Sequence, residues 1–495
     1  MINKKSIRAA AALLAVLTAG SVLLASCGEA SSAPADTEPS ETLETEPVIE
    51  TETEIVYRAD LPENLDYGGA AFNIYTYDDA NSTWYDVDFA ATGENGELLN
   101  DATFRRMVEV EQLLNIDIVP NPGPTNGSQL KKTVAAGDGA FDIAFVQTRD
   151  AASIAQSGYL LDLKNIDTLD LSQPWWDQNA VADLSIGGRL FMVTGDLSIM
   201  YKKTIGVLLV NKPLLNENDL ENPYELVQNK KWTIDKFIEM GKTVSADLNG
   251  DGKFDKEDKY GLLFYRDMIA LGLIGAGVQF CSKDADDYPV DTFYTDRTQA
   301  AWEKYTELMF DPQLALSWSK IGVPNEDIMA MFQNNQGLFN FNEFHSIESM
   351  RQMNADFGIL PVPLFEEAQD SYHHIINPYV AAMLLVPKDC PDTERVGYVL
   401  DALGASSKNI LTPAYYDQYL KTKGARDDDS EAMLDIIFST LHYDTGYLYD
   451  FGTIGNFTLT MVDAYKPDLA SAYAKISDKV KTAIDKMVAA YQEID

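Results

Sequence analysis

Cysteine, histidine and basic residues are scarce in this 495-residue chain, and each shortage closes off a class of function. With only three cysteines, no disulfide framework can carry the fold. Cys281 and Cys390 admit one bridge in an exported protein, but two isolated cysteines beside apolar residues are more often plain buried thiols. The four histidines are His345, His373, His374 and His442. Adjacent side chains in a strand diverge, so the pair His373-His374, with no Cys or third His close in sequence, favours surface or loop packing over a metal centre. Lys and Arg together number 38 against 77 Asp and Glu, a net charge of −39. That sign argues against nucleic acid and, within the reach that salt leaves it, against anionic ligands. No nucleophile elbow, HExxH or phosphate loop is present, and after residue 27 no apolar run is long enough to span a membrane.

What is there begins at the N-terminus. Lys4, Lys5 and Arg8 precede an almost unbroken apolar run, Ala9 to Leu24, which is the layout of a secretory signal peptide. A short transmembrane anchor is the competing reading. The small residues Ala25 and Ser26 before Cys27 favour processing, because a cleaving enzyme needs small side chains at the scissile bond. Leu24-Ala25-Ser26-Cys27-Gly28 resembles the lipobox of bacterial lipoproteins, in which the cysteine sulfur takes a diacylglyceryl group and becomes the new N-terminus. More than one acyl chain, palmitate among them, gives stable attachment. The expectation is a signal peptide over 1–26, a lipid on Cys27, and residence on the extracellular face of a bacterial cell membrane.

From Glu29 to Glu54 the chain holds nine acidic residues and no Lys or Arg, among Thr, Ser, Pro and Ala. Too little apolar surface is available to offset the entropy of ordering, so 27–56 reads as a disordered acidic tether, with a ligand-binding acidic tail as the alternative.

The remaining body is too long for one ordinary core and suggests two lobes. "AFNIYTY" (71–77) alternates like a strand, Leu98 to Asn115 has helical spacing, and "IDIV" (116–119), a helix near 129–136 and "FDIAFVQ" (141–147) follow. This is the grammar of a parallel α/β sheet with right-handed crossovers. It returns with a helix over 324–335, strand "GLFNFNE" (337–343), a helix over 345–354, and strands "FGILPVP" (357–363) and "YVAAMLLVP" (379–387). Residues 469–494 carry Ile476, Val480, Ile484, Val488 and Tyr491 at helical spacing, which reads as a docking helix.

In order, "FDIAFVQ", "SGYLLDL" (157–163), "GGRLFMV" (187–193), "IGVLLVNKPLL" (205–215), "WTIDKFIEMGK" (232–242) and "FGILPVP" resemble the family 1 extracellular solute-binding proteins of ABC importers, many of which carry sugars. The resemblance covers most of residues 71–407. It implies a two-lobe, periplasmic-binding-protein-like (type II) α/β fold with a hinge and an interlobe cleft, and a partner ABC permease. The chain would cross between lobes near 191–205 and return near 358–363. Lobe 1 is then 57–200 with 360–407, and lobe 2 is 201–359 with 408–495.

Ligands of open α/β sheets settle at the carboxyl ends of strands, so residues just past each strand are the candidates. These are Trp84 and Tyr85, Thr148 and Arg149, Glu343 and Phe344, and Tyr379. The resemblance implies polar contacts from Gln147, Arg149, Asn342 and Glu343, and a crossover position for Asp196. A pyranose presents C–H faces that suit aromatic rings, and hydroxyls that Asp, Glu, Asn and Arg grip in pairs. Trp175, Trp176 and Trp318 join Trp84 and Tyr85 as stacking candidates, each of which has ordinary core packing as its alternative.

The most specific local motif is "DLNGDGKFDKED" (247–258). Asp247, Asn249, Asp251, Asp255 and Asp258 stand at loop positions one, three, five, nine and twelve, Gly252 at six, and the Lys253 carbonyl at seven. This resembles an EF-hand calcium loop. Asp replaces the usual Glu at twelve, and "KYGLLFY" (259–265) reads as a strand where an exit helix is expected. The alternatives are a structural calcium site of dockerin-like or helix-loop-strand type, or a polar turn.

A lipid-anchored polysaccharide hydrolase would use the same carboxylates and aromatics, and a passive adhesin would use the anchor. The two-lobe grammar favours a non-catalytic receptor for a carbohydrate, an oligosaccharide above all, with peptides, polyols and other neutral polar solutes open.

Overall fold

The chain's alternating and periodic segments assemble into two main sheets. A computed structural model describes residues 55–77, 88–317, 325–353, 355–420 and 428–494; the leader, Cys27 and the tether through residue 54 lie outside them, as do Trp84, Tyr85 and Trp318. Val56–Asp495 form one compact unit.

In the first sheet, strand β1 (Ala70–Tyr77) buries Phe72 and Ile74 and pairs in parallel with β2 (Ile116–Gly123) and β3 (Ile143–Gln147). Parallel neighbours need crossovers, supplied by the helices Leu98–Leu114 and Ser128–Ala136. The first of these buries Met107, Val110 and Leu114 at helical spacing and stops at Asn115, which takes the left-handed conformation (φ 48°) and donates its N–H to Glu111 O.

The second sheet starts with β4 (Gly206–Asn211), buried along its whole length, as an apolar run covered on both faces should be. Around it stand β5 (Tyr260–Phe264), β8 (Ala315–Ser317), β9 (Gly337–Glu343) and β10 (Phe357–Leu360) in the order β10-β4-β9-β5-β8. A small separate hairpin pairs β6 (Cys281–Lys283) with β7 (Pro289–Asp291). Trp232, Phe237 and Phe339 fill the core beside β9, with the Phe237 and Phe339 rings 4.7 Å apart. The Ile234–Val244 helix lies directly on β5 because both contact positions are glycine: a Cβ on Gly261 would stand 2.6 Å from Gly241 Cα.

Neither main sheet is purely parallel. Strand β11 (Ala382–Leu385) completes the first sheet antiparallel to β3, and β4 runs antiparallel to both of its neighbours, β10 and β9. The chain leaves the second sheet after Leu360 and rejoins the first at Ala382, so its return occupies residues 361–381, beginning within the expected 358–363 and running well past it. There it runs beside the outgoing segment: Gly206 N–H donates to Ile375 O (3.1 Å) and Asn377 N–H to Thr204 O (2.9 Å). The Thr412–Leu420 helix packs on the Leu98–Leu114 helix, and Asp428–Ser439 packs on β10. Residues 469–494 form two helices, Leu469–Tyr473 and Ser477–Glu493, broken where one docking helix is expected. Cys281 and Cys390 are free thiols, buried and half-buried.

Candidate functional site

Three strand ends and the return segment bring their polar side chains together. Strand β3 ends at Gln147, and the next residue pins it: the Thr148 hydroxyl donates to Ala381 O at 2.8 Å. Arg149 then stands in the first turn of the Thr148–Gln156 helix, with its guanidinium over the Tyr379 ring, 4.1 Å from the centroid. Arg149 Nη1 binds Asp450 Oδ2 at 2.8 Å and Nη2 donates to Tyr447 O at 3.3 Å.

From the second sheet, β5 delivers Tyr265, Arg266 and Asp267 just past its end, and β9 delivers Glu343 as its last residue. Tyr265 Oη donates to Glu343 Oε1, which also accepts from Asn377 Nδ2 at 2.7 Å. Asn377 Oδ1 accepts the Tyr379 N–H at 2.9 Å, and Tyr379 Oη reaches Asn456 Oδ1 at 3.4 Å. Arg266 Nη1 binds Asp463 Oδ2 at 2.5 Å and its Nε lies 3.5 Å from Asp267 Oδ1. A continuous polar network therefore links the ends of β3, β5 and β9 through residues 377–379 to the helices Thr445–Tyr449 and Ile454–Asp463.

Burial sets the electrostatics of this network. It pushes the Glu343 carboxyl up to about 7, against the hydrogen bonds of Tyr265 and Asn377 and with the help of the Asp267 charge. Asp267 is also raised by burial, with Arg266 and Arg149 opposing. Glu343 Oε2, Asp267 Oδ1, Asp463 Oδ1 and Arg149 Nε are buried with no hydrogen-bond partner among the described residues. Such groups cost free energy unless something else satisfies them.

Of the residues expected at the site, Gln147, Arg149, Glu343 and Tyr379 lie in or beside this network. Asn342 does not: strand period two turns it to the other face, where it is 1% exposed, its amide donates to Asn340 Oδ1 (3.0 Å) and its Oδ1 accepts from Ser346. Phe344 is also directed away, buried and stacked on Phe438 with ring centroids 5.4 Å apart. Trp175 and Trp176 need correcting as open stacking faces, since they are 1% and 3% exposed. Both indole N–H groups turn to Asp401 Oδ1, at 3.3 and 3.4 Å. Both help wall a separate cavity of about 280 Å³ with Asp196, Lys202, Lys408 and Tyr416. Asp196 binds Lys202 and, at 3.1 Å, Lys408; burial works to raise its carboxyl, and the two ammonium groups outweigh it and hold it below the usual range. Tyr265, Arg266, Asp267, Asn377, Tyr447, Asp450, Asn456 and Asp463 are the network members that sequence reasoning missed.

Of the histidines, His374 is buried, while His345, His373 and His442 are half-buried. His374 Nε2 accepts from Val362 N–H at 3.2 Å, which leaves Nδ1 to donate to Thr440 Oγ1 at 2.8 Å. His373 turns the other way, to His442 at 2.6 Å, beside a cavity of about 300 Å³ that Cys281 and Lys283 also line.

In the 247–258 loop, Asp247 accepts the amides of Gly250 (2.7 Å) and Gly252 (2.8 Å), and Asp258 those of Leu248 and Asp255, both at 2.9 Å. Gly252 has φ 77°, the left-handed turn that its sixth position requires. Among the described residues, no three His, Cys, Asp or Glu side chains are placed to hold a metal ion.

The model of the bacterial extracellular solute-binding proteins matches residues 95–404, more than half of the chain. The chain belongs to that family. No curated protein matches this solute-binding protein. Among solved structures it is similar to an ABC substrate-binding protein from Listeria monocytogenes in complex with cycloalternan, at 16% identity over 86% of this chain and 99% of that one, with a TM-score of 0.53. A receptor from Streptomyces glaucescens, solved unliganded and with acarbose, is similar at 13% identity over 86% and 98%, with a TM-score of 0.51. A Mycobacterium tuberculosis protein in complex with glycerophosphocholine is similar at 16% over 78% and 95%, with a TM-score of 0.53. These likenesses establish the two-lobe, periplasmic-binding-protein type of fold. No helix among the described residues is long and apolar enough to cross a membrane.

Proposed function

We propose that this solute-binding protein captures an oligosaccharide between its lobes at the strand-end network, without cleaving it, and delivers it to an ABC permease. The observation that carries the reading is the Glu343 carboxylate, where Tyr265 from the end of β5 and Asn377 from the return segment meet. A guest that touches both sheets favours the closed arrangement by its differential affinity. Sugar hydroxyls supply donors to carboxylates and acceptors to arginine, and Tyr379 is a half-buried ring of the kind a pyranose face packs on. Two of the similar structures hold cycloalternan and acarbose. Micromolar affinity needs about 8 kcal/mol net, which several charge-assisted hydrogen bonds and a ring contact supply after ordering costs.

Titration calorimetry of the full chain in detergent, against saccharide and peptide panels with recovery of the guest, tests this. Saturable binding of a saccharide recovered unchanged supports it; cleavage, or binding confined to peptides, overturns it.

The lipid anchor on Cys27 belongs to the same proposal and rests on the apolar leader and Leu24-Ala25-Ser26-Cys27. Cys27→Ser should move the protein from the membrane fraction to the medium. Calcium in the 247–258 loop is proposed as structural, away from the solute. Its support is the oxygen spacing and the left-handed Gly252. Asp247, Asn249, Asp251, the Lys253 carbonyl, Asp255 and Asp258 would hold it, and the backbone amides already close the turn around them.

A further inference from the structure

The network's charges do not cancel. Arg149 is paired with Asp450 at 2.8 Å and Arg266 with Asp463 at 2.5 Å. That leaves Asp267, which has only the 3.5 Å approach of Arg266 Nε, a group already committed, and Glu343, whose burial-raised carboxyl ionises against a cation that displaces its proton. Glu343 is 1% exposed and its Oε2 has no hydrogen-bond partner among the described residues.

Donors and acceptors are equally unbalanced. Three buried carboxyl oxygens, on Glu343, Asp267 and Asp463, lack a hydrogen bond, against one N–H, Arg149 Nε; that of Glu343 joins the acceptors once an incoming cation displaces its proton. A neutral sugar hydroxyl brings one donor with two acceptor lone pairs, so a neutral guest adds acceptors to a site that is short of donors. An ammonium brings three donors, no acceptor and one positive charge. Buried carboxylates reward that charge more than exposed ones, because the low local dielectric strengthens the pairing.

Resting on the reading of this network as the solute site, we propose that the preferred guest is an amino sugar with a free ammonium, an oligosaccharide containing unacetylated glucosamine-type units, seated against Glu343 and Asp267. The network selects for the charge, and the neutral remainder of the saccharide makes the ordinary sugar contacts.

The test is calorimetry of the full chain at pH 6.5 with three oligosaccharides of equal length: one of glucosamine, its N-acetylated form, and a neutral glucose oligomer. The glucosamine oligomer is expected to bind at least about tenfold tighter than either, the scale of one charge-assisted hydrogen bond. Asp267→Asn and Glu343→Gln, each verified as folded by its melting curve, should bring that ratio toward one. Equal or tighter binding of the neutral oligomer overturns the charge preference and leaves the saccharide reading standing. Binding of none of the three overturns both.

Discussion

Arg149 and Asp450, 301 positions apart in the chain, form a 2.8 Å ion pair whose two side chains are only 16% and 17% exposed. The pair ties the first turn after β3 to the end of the Thr445–Tyr449 helix. Removing one partner strands a largely buried charge, so Arg149→Ala should destabilise the fold by roughly 2–4 kcal/mol. Arg149→Ala combined with Asp450→Ala should cost less than the sum of the single changes. Urea titration of the double-mutant cycle measures this, and strict additivity would show the pair to be uncoupled.

Glu343 predicts a pH dependence. Its carboxyl titrates near 7 when folded, against about 4.3 in an unfolded chain. Between those values the folded state keeps a proton that the unfolded state has lost, so this group's contribution is full below about pH 4.3 and is lost as pH rises through 7. The amount is ~4 kcal/mol. Glu343→Gln should flatten that fall, seen as a smaller change in urea midpoint between pH 5 and pH 8; an unchanged profile would assign the dependence elsewhere.

Gly404 is a packing test. A Cβ there would stand 2.1 Å from Trp175 Cδ1, in a side chain already held by Asp401. Gly404→Ala should therefore cost about 1–3 kcal/mol despite its better helix propensity, because the core cannot give way. A melting temperature equal to or above the parent's would mean that the tryptophan has room to move.

The 247–258 loop can be decided by heat. If it takes calcium, millimolar calcium should raise the melting temperature and a chelator should lower it, and Asp247→Ala should abolish the difference. A curve indifferent to both additions would make the loop a set of amide-closed turns.

The fold was legible wherever one element follows another in sequence. Period-two alternation marks β1, and the helical spacing of Met107, Val110 and Leu114 marks the crossover. Strand direction was not legible for β10 and β11, because an apolar run such as "AMLL" reads alike in either orientation. At the site, the strand-end rule found Arg149 and Glu343. It applies equally to "KYGLLFY" and would have given Arg266 and Asp267, had that strand been followed past its end. Asn342 shows the rule's limit, since a neighbour on the same strand faces the opposite way. Asp450, Asn456 and Asp463 carry no local mark: they reach the network from the C-terminal helices, and only tertiary contact shows what they do. For the tryptophan pair, composition says nothing about where an indole N–H finds its acceptor, so their shared bond to Asp401 was not legible.

The separate thiols of Cys281 and Cys390 leave the folded body without a covalent cross-link. Its architecture is held by packing, hydrogen bonds and ion pairs such as Arg149–Asp450, so Cys281 and Cys390 call for no disulfide-forming step in its maturation, and reductant in the surroundings has no bridge between them to break.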